Sequence, residues 1–387
     1  MLFIQDLHFK TMIIGIDANE ANVQNKVGIS EYVYQLLLQF YILATDDKKF
    51  IIYLKDRPRA DFPKATSNWQ YRIIGPKKMW TQIGLPLNLF LSKDKPDIFF
   101  SPGHYAPRFS PIPTVISIMD LAFFHFPEYF TKKDLAQLRS WTSYSVKKAK
   151  AIITISTSSK DDIIKLYGTL SDRVHVVYLG IKNTVTLKPH IYPMQELQTK
   201  YGINKDFVLF VGTLQPRKNI SRLVEAFSLL AKNEKNQNSS IQLVIVGKKG
   251  WQYEEILESP KKFGVEDRVK FLDFVPDEEL TMLYQNARCF VWPSLYEGFG
   301  LPILEAMKLG CPVITSNVSS MPEAGGDAAL YVDPKDVQDI AKKLEKVLSD
   351  SKLRSEMVEK GKKQVQKFSW EKTARQTLAI LEEVAKE

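Results

Sequence analysis

The chain has 387 residues, 44% apolar and 25% charged, enough for about two globular domains and too apolar for a largely disordered polypeptide. Two cysteines, Cys289 and Cys311, exclude a disulfide scaffold and are expected as buried thiols, and no run approaches the ~20 apolar residues of a membrane-spanning helix. The net charge of +9 is lopsided: residues 1–187 hold 24 Lys and Arg against 16 Asp and Glu, the remainder 29 against 28.

That basic half fits a solvated surface, or attraction to anionic lipid or a phosphate-bearing acceptor; no basic run with interleaved aromatics points to nucleic acid. Residues 1–10 lack the basic start and long apolar core of a signal peptide. Met12-Ile13-Ile14-Gly15-Ile16-Asp17 reads as a natural first strand, so an extension ahead of it is expected. The first half then alternates helical patterns with apolar strands, predicted at 13–16, 50–54, 71–74, 97–100, 114–119, 151–155 and 174–178. This is the signature of a mostly parallel sheet covered on both faces. Ser30 is a candidate N-cap for a helix over 31–41, the segment 131–150 has the basic end of a helix C-terminus, and Ser158 is placed to cap 160–167. Gly28 ends the loop after the first strand, at the sheet edge where open α/β domains bind ligands; it is a turn residue or a point of phosphate approach. Lys77-Lys78-Met79-Trp80 leads into the apolar stretch 83–91. With Lys147, Lys148 and Lys150 it offers either a buried helix with a charged flank or a face for anionic lipid.

Periodicity is lost over 184–205, which carries Pro189 and Pro193, and the main linker is expected there. A second wound domain follows, with strands predicted at 207–211, 242–246, 269–272, 289–292, 312–315 and 329–332 and helices at 220–231, 277–286 and 336–348. The last segment, 369–386, is helical by periodicity, and its pattern leaves its domain open.

Two turns of the second half carry chemistry. In Glu297-Gly298-Phe299-Gly300-Leu301-Pro302-Ile303-Leu304-Glu305, after the strand 289–292, Gly298 and Gly300 allow close backbone approach. Pro302 fits the first turn of a helix, and Glu305 lies about one turn inside it. The N–H groups and positive dipole end of such a helix suit an anion. Gly212-Thr213-Leu214-Gln215-Pro216-Arg217-Lys218-Asn219 follows the strand 207–211 in the same way. Arg217 and Lys218 thus stand at a strand end of the same sheet, able to meet a diphosphate with charge-assisted bonds of about 1.5–3 kcal/mol each. Carboxylates beside an anion site are repulsive unless they face hydroxyls, so Glu297 and Glu305 point to ribose and sugar, and the ligand to a nucleotide sugar. No Asp or His stands near them at metal-ligand spacing.

The run Gly212-Thr213 with Pro216-Arg217-Lys218-Asn219, the turn Asp273-Phe274-Val275 ahead of a helix, and the glutamate pair in Glu-Gly-Phe-Gly-Leu-Pro together resemble the retaining glycosyltransferase family 4. The similarity covers nearly the whole chain from Met12 and is densest over 207–332. The resemblance implies an α/β GT-B fold, two Rossmann-like doubly wound parallel-sheet domains facing across a cleft. Residues 1–187, with a crossing C-terminal helix at 370–387, would bind the acceptor, and 188–369 the nucleotide sugar. It also implies transfer of a hexose, mannose or a related sugar, from a nucleotide-diphosphate donor to a hydroxyl of a glycan or lipid-linked glycan. Neither metal nor other cofactor is implied, and the expected place is the cytoplasm, peripherally at the inner face of the membrane.

Carried over residue by residue, Arg217 and Lys218 hold the donor diphosphate, Glu305 binds the ribose and Glu297 stands near the transferred sugar. Gly212, Gly298 and the amides of Phe299, Gly300 and Leu301 line the donor, Gly28 approaches the same group, and Phe274 or Val275 meets the base. The sequence departs from the family at Ile118-Met119-Asp120-Leu121, where many relatives have His before the Asp, near the sugar or acceptor. With Met119 there, the acceptor side rests on Asp120, and His104 or His125 is the candidate substitute. Rival readings are a sugar-nucleotide epimerase, a starch-type synthase, or a non-catalytic sugar-nucleotide-binding protein. A nicotinamide-dependent dehydrogenase is disfavoured because no Gly-x-Gly-x-x-Gly follows the first strand.

Overall fold

A computed structural model describes residues 11–182, 194–231 and 240–387, and resolves the chain into two α/β units, each built on a parallel sheet. The expected extension at 1–10, Pro189 and Pro193 of the expected linker, and the boundary at Leu187 lie outside the described residues.

The first unit comprises the chain up to Phe123, Phe130–Gly180 and Trp370–Glu387. Its strands are β1 (Met12–Asp17), β2 (Lys48–Leu54), β3 (Trp69–Ile73), β4 (Ile98–Ser101), β5 (Thr114–Ile118), β6 (Ala151–Thr154) and β7 (Val174–Val176), in the order β3-β2-β1-β4-β5-β6-β7. Every pair runs parallel, with registers such as Ile14 opposite Phe50 and Ile98. Strand residues such as Phe50, Ile52, Phe99 and Ile116 are buried because helices cover both faces, which explains why the strands read as unbroken apolar runs. The last helix, Trp370–Lys386, belongs to this unit: Thr373 Oγ1 donates to the Tyr178 carbonyl (2.7 Å) and the Trp370 ring lies 6.3 Å from that of Tyr32.

The second unit comprises Ile181–Ser369 with the short segment Phe124–Tyr129. Its strands are β8 (Phe207–Val211), β9 (Gln242–Val246), β10 (Val269–Leu272), β11 (Cys289–Trp292), β12 (Val313–Ser316) and β13 (Ala329–Val332), all parallel in the order β10-β9-β8-β11-β12-β13. Both cysteines are buried here, and burial pushes the Cys289 thiol up to about 12.

Two expected caps are corrected. The helix Ile29–Leu43 starts one residue ahead of Ser30, with Gly28 as its N-cap at φ 55 and no side-chain cap. Ser156, not Ser158, caps Thr157–Tyr167, its hydroxyl accepting the Ser159 N–H at 3.0 Å, because the chain turns helical directly after β6. Thr131 caps Lys132–Lys148 through the Asp134 N–H (3.1 Å). Among the described residues no helix is long and apolar enough to cross a membrane.

Candidate active site

In the second sheet, helical connections leave β8 and β11 in opposite directions, so the loops after these neighbouring strands open a crevice at the carboxyl edge, the usual ligand position in doubly wound sheets. Both predicted turns lie there. The first needs glycine at its base, since a Cβ on Gly212 would stand 2.7 Å from the Trp292 ring. Pro216–Lys218 then forms a 3-10 turn, and Asn219 follows at φ 62. Its Nδ2 donates to the carbonyls of Pro293 (2.9 Å) and Pro334 (2.6 Å), tying the first turn to the second. A backbone bond from the Leu295 N–H to the Arg217 carbonyl (2.9 Å) closes the seam.

The second turn ends at Gly300, whose φ of 102 is a conformation that side chains oppose, and the helix Leu301–Lys308 begins there. Between the turns the charges meet. Lys218 Nζ lies 2.6 Å from Glu297 Oε1, and Arg217 Nη1 lies 3.0 Å from Glu297 Oε2 and also donates to the Tyr296 carbonyl. Glu297 is 7% exposed and Lys218 9%, and the Lys218 ammonium stands 4.5 Å over the Trp292 ring. Burial alone would raise the Glu297 carboxyl, but the Lys218 and Arg217 charges outweigh it and hold the group below its ordinary range. The Glu297 carbonyl accepts from Ser319 Oγ (2.7 Å) and Ser320 Oγ (2.9 Å), which fixes the backbone under the carboxylate.

Glu305 lies in Leu301–Lys308, half-buried, and its charge offsets part of the burial that lowers the Lys308 pKa. Phe299 is buried edge-on against Phe368, with ring centroids 5.5 Å apart. Beyond β10, Phe274 is 68% exposed with Lys248 Nζ 5.6 Å over its ring, while Val275 is buried. The structure thus brings Arg217, Lys218, Glu297, Gly212, Gly298, Phe299, Gly300 and Leu301 to one crevice, with Phe274 and Val275 on a loop two strands away.

The remaining predicted residues, His125 apart, belong to the first unit. Gly28 caps the helix Ile29–Leu43, with open space where a Cβ would stand. His104, at φ 83, shares a 3.0 Å hydrogen bond between Nε2 and Thr142 Oγ1; burial pushes its imidazole down to about 4, partly opposed by the Asp120 charge. Asp120 Oδ1 accepts the Ala122 N–H (2.9 Å), and the Met119 carbonyl accepts from Ser159 Oγ (3.1 Å). His104 and Asp120 therefore share an electrostatic neighbourhood. His125 instead packs in the second unit, its ring 4.7 Å from that of Tyr296.

Sequence reasoning missed Asp17, at the carboxyl end of β1 beside the β1–β4 switch of the first sheet. Its Oδ2 accepts Trp80 Nε1–H (3.2 Å), its Oδ1 accepts both the backbone and side-chain amides of Asn19, and burial raises its pKa. Its place after the first strand was the available signal. Asn219 stood in the quoted Pro216-Arg217-Lys218-Asn219 run without a role, and Ser319 and Ser320, which also brace the crevice of the second unit, had no signal.

Residues 194–364 match the family Glycosyl transferases group 1, and residues 54–184 match Glycosyltransferase Family 4. The chain is 34% identical over 309 residues to the O-antigen chain mannosyltransferase B of Escherichia coli, covering 80% of this chain and 78% of that protein. It is 34% identical over 229 residues to the serotype-specific mannosyltransferase WbdA of the same organism, covering 59% of this chain and 28% of that longer protein. Among solved structures, the sucrose-phosphate synthase of Thermosynechococcus elongatus superposes with a TM-score of 0.72 at 19% identity, over 96% of this chain and 99% of that one. Anabaena HepE in complex with UDP and glucose gives 0.70 at 18%, over 96% and 100%. The solved structures show the fold, a GT-B pair of Rossmann-like domains; the sequence matches show more, and the chain belongs to glycosyltransferase family 4 and is a glycosyltransferase.

Proposed function

We propose that the protein is a retaining hexosyltransferase, with mannose the favoured sugar, that uses a nucleotide-diphosphate donor and extends a glycan or lipid-linked glycan of the cell envelope. The observation that carries this reading is the closing of Arg217, Lys218 and Glu297 on one another at the β8–β11 switch, beside the first turn of Leu301–Lys308. The mannosyltransferase names of the relatives support the choice of sugar and of a polysaccharide acceptor.

In this reading the donor phosphates lie against Arg217, Lys218 and the helix-start amides, and Glu305 holds the ribose. Phe274 and Val275 meet the base, and Glu297 positions both the cations and the transferred sugar. The bond from the anomeric carbon to the phosphate oxygen breaks while the acceptor hydroxyl attacks from the same face. The acceptor proton passes to the departing phosphate, whose growing charge Arg217 and Lys218 stabilise. No protein nucleophile and no metal enters these steps. On the acceptor side, His104 is neutral near pH 7 and can offer one N–H or one lone pair to a hydroxyl, with Asp120 beside it. Gly28 leaves room at the start of its helix for a phosphate. We infer the cytoplasm as its compartment, with peripheral contact to the inner face of the cell membrane.

A thermal-shift screen with UDP-, GDP- and dTDP-sugars tests the donor site: a true donor at one hundred times its Kd stabilises the fold by about 2.7 kcal/mol. Stabilisation by none of them, with no transfer to any glycan, would contradict the proposal.

A further inference from the structure

The helix Leu85–Leu91, continued from the π-helical turn Trp80–Gly84, is apolar on two sides. Leu85 and Leu89 pack inward with Trp80, Tyr53 and Phe99. The other side carries Ile83, Leu87, Phe90 and Leu91, exposed by 40, 51, 49 and 80%. Their spacing of i, i+4, i+7 and i+8 sets them on one face. Two more large apolar residues lie close by in left-handed backbone, Met79 at φ 53 and Phe109 at φ 52, exposed by 61 and 74%. The Arg108 N–H donates to the Thr81 carbonyl (2.9 Å) and the Phe109 N–H to Tyr144 Oη (2.8 Å), which fixes the Phe109 loop beside the turn. Neither burial nor backbone preference accounts for holding such side chains in water.

Cations frame this face. Lys77 and Lys78 precede the turn and Lys93 and Lys95 follow the helix, all exposed, against Asp94 and against Asp56, which pairs with Lys77. Lys148 and Lys150 line one groove with Phe109 and Tyr144.

We propose that this face docks on an anionic phospholipid surface; the inference names the site of the peripheral contact and rests on the proposed lipid-linked acceptor. A row of apolar side chains on one helix, with lysines at both ends, matches a segment lying in the headgroup layer with its apolar groups in the acyl boundary. A second copy docked across this face by a two-fold axis would set these lysines against one another, which disfavours a dimer.

The test is co-sedimentation of the full chain with vesicles of phosphatidylcholine alone and of phosphatidylcholine mixed with phosphatidylglycerol, at low and high salt. The protein should bind only the mixed vesicles and release with salt. Each Lys→Ser change among Lys78, Lys93 and Lys95 should weaken binding roughly five-fold. The double variant Leu87→Ser, Phe90→Ser should weaken it more than ~10-fold, while its thermal midpoint and its transfer to a water-borne acceptor stay unchanged. Equal binding of both vesicle types, or variants that sediment like the parent, would overturn the proposal. A dimer dissolved by the double variant with vesicle binding intact would make the face an interface between copies and overturn it as well. Charge-dependent vesicle binding in a protein that transfers no sugar would sink the proposed function and leave this surface standing.

Discussion

Replacing Glu297 by Ala removes the carboxylate that binds Lys218 and Arg217 at once. Breaking a buried ion pair from one side costs about 3–5 kcal/mol, because the remaining charge stays out of water. Lys218 is 9% exposed and keeps its place over the Trp292 ring, an attraction of ~2 kcal/mol when desolvated, and Arg217 keeps the Tyr296 carbonyl. The lower end of the range, about 3 kcal/mol, is therefore expected. For a unit of this size each kcal/mol lowers Tm by roughly 2–4 °C, so Glu297→Ala should melt roughly 6–12 °C below the parent. A nucleoside diphosphate restores negative charge to the same cations and should stabilise the variant more than the parent. Differential scanning calorimetry with and without UDP and GDP reads both effects. An unchanged Tm, or nucleotide stabilisation no larger than in the parent, would refute the reasoning.

Arg217→Ala and Lys218→Ala should each lower turnover by roughly 10² or more, as lost stabilisers of the departing phosphate, measured by steady-state transfer at saturating donor. In the proposed mechanism Arg217 and Lys218 supply the positive charge, so chelation of divalent cations should leave the initial rate unchanged. His104 titrates at about 4 in the folded chain against an ordinary value near 6.5, so the unfolded chain binds the extra proton between these values. Its burial costs nothing above pH 6.5 and increasingly destabilises the fold as pH falls toward 4; denaturant titrations across this window should show the slope flattened in His104→Gln. Glu297 has the usual carboxylate sign: its lowered pKa stabilises the fold above the ordinary carboxylate range, and that contribution is lost as acid protonates it. The stability advantage of the parent over Glu297→Gln should accordingly shrink as pH falls through the carboxylate range, read from denaturant titrations of both proteins; an advantage that stays constant or grows with acid would contradict the assignment.

The alternation of apolar runs made the two sheets legible. The boundaries of Phe207–Val211, Gln242–Val246 and Cys289–Trp292 follow from strands buried on both faces and bounded by polar or glycine residues. Helices were harder where their composition is broken or polar: Glu254–Phe263 is interrupted by Pro260, and Ser351–Val365 is largely charged and shows no clean apolar stripe. The cap Ser158 was misplaced because Ser156, Thr157, Ser158 and Ser159 stand together and only backbone geometry selects among them, and Ser30 because the helix already begins at Ile29, on a Gly28 cap that has no side chain to mark it. In the crevice, residue types and turn positions were readable, but the clasp of Glu297 on Arg217 and Lys218 was not. Those residues stand about eighty positions apart, and only the β8–β11 pairing brings them together. The exposure of Leu87, Phe90 and Leu91 was equally hidden, since an apolar stretch reads the same whether it faces a core or a bilayer.

The most direct test of the account is the anomeric configuration of the product. With an α-linked nucleotide-diphosphate mannose and an oligosaccharide acceptor, NMR of the newly formed glycoside should show the α linkage retained in the parent, with product formation collapsing in Arg217→Ala and Lys218→Ala. A β-linked product, or transfer that proceeds undiminished without either cation, would contradict the assignment of this crevice as the seat of retaining sugar transfer.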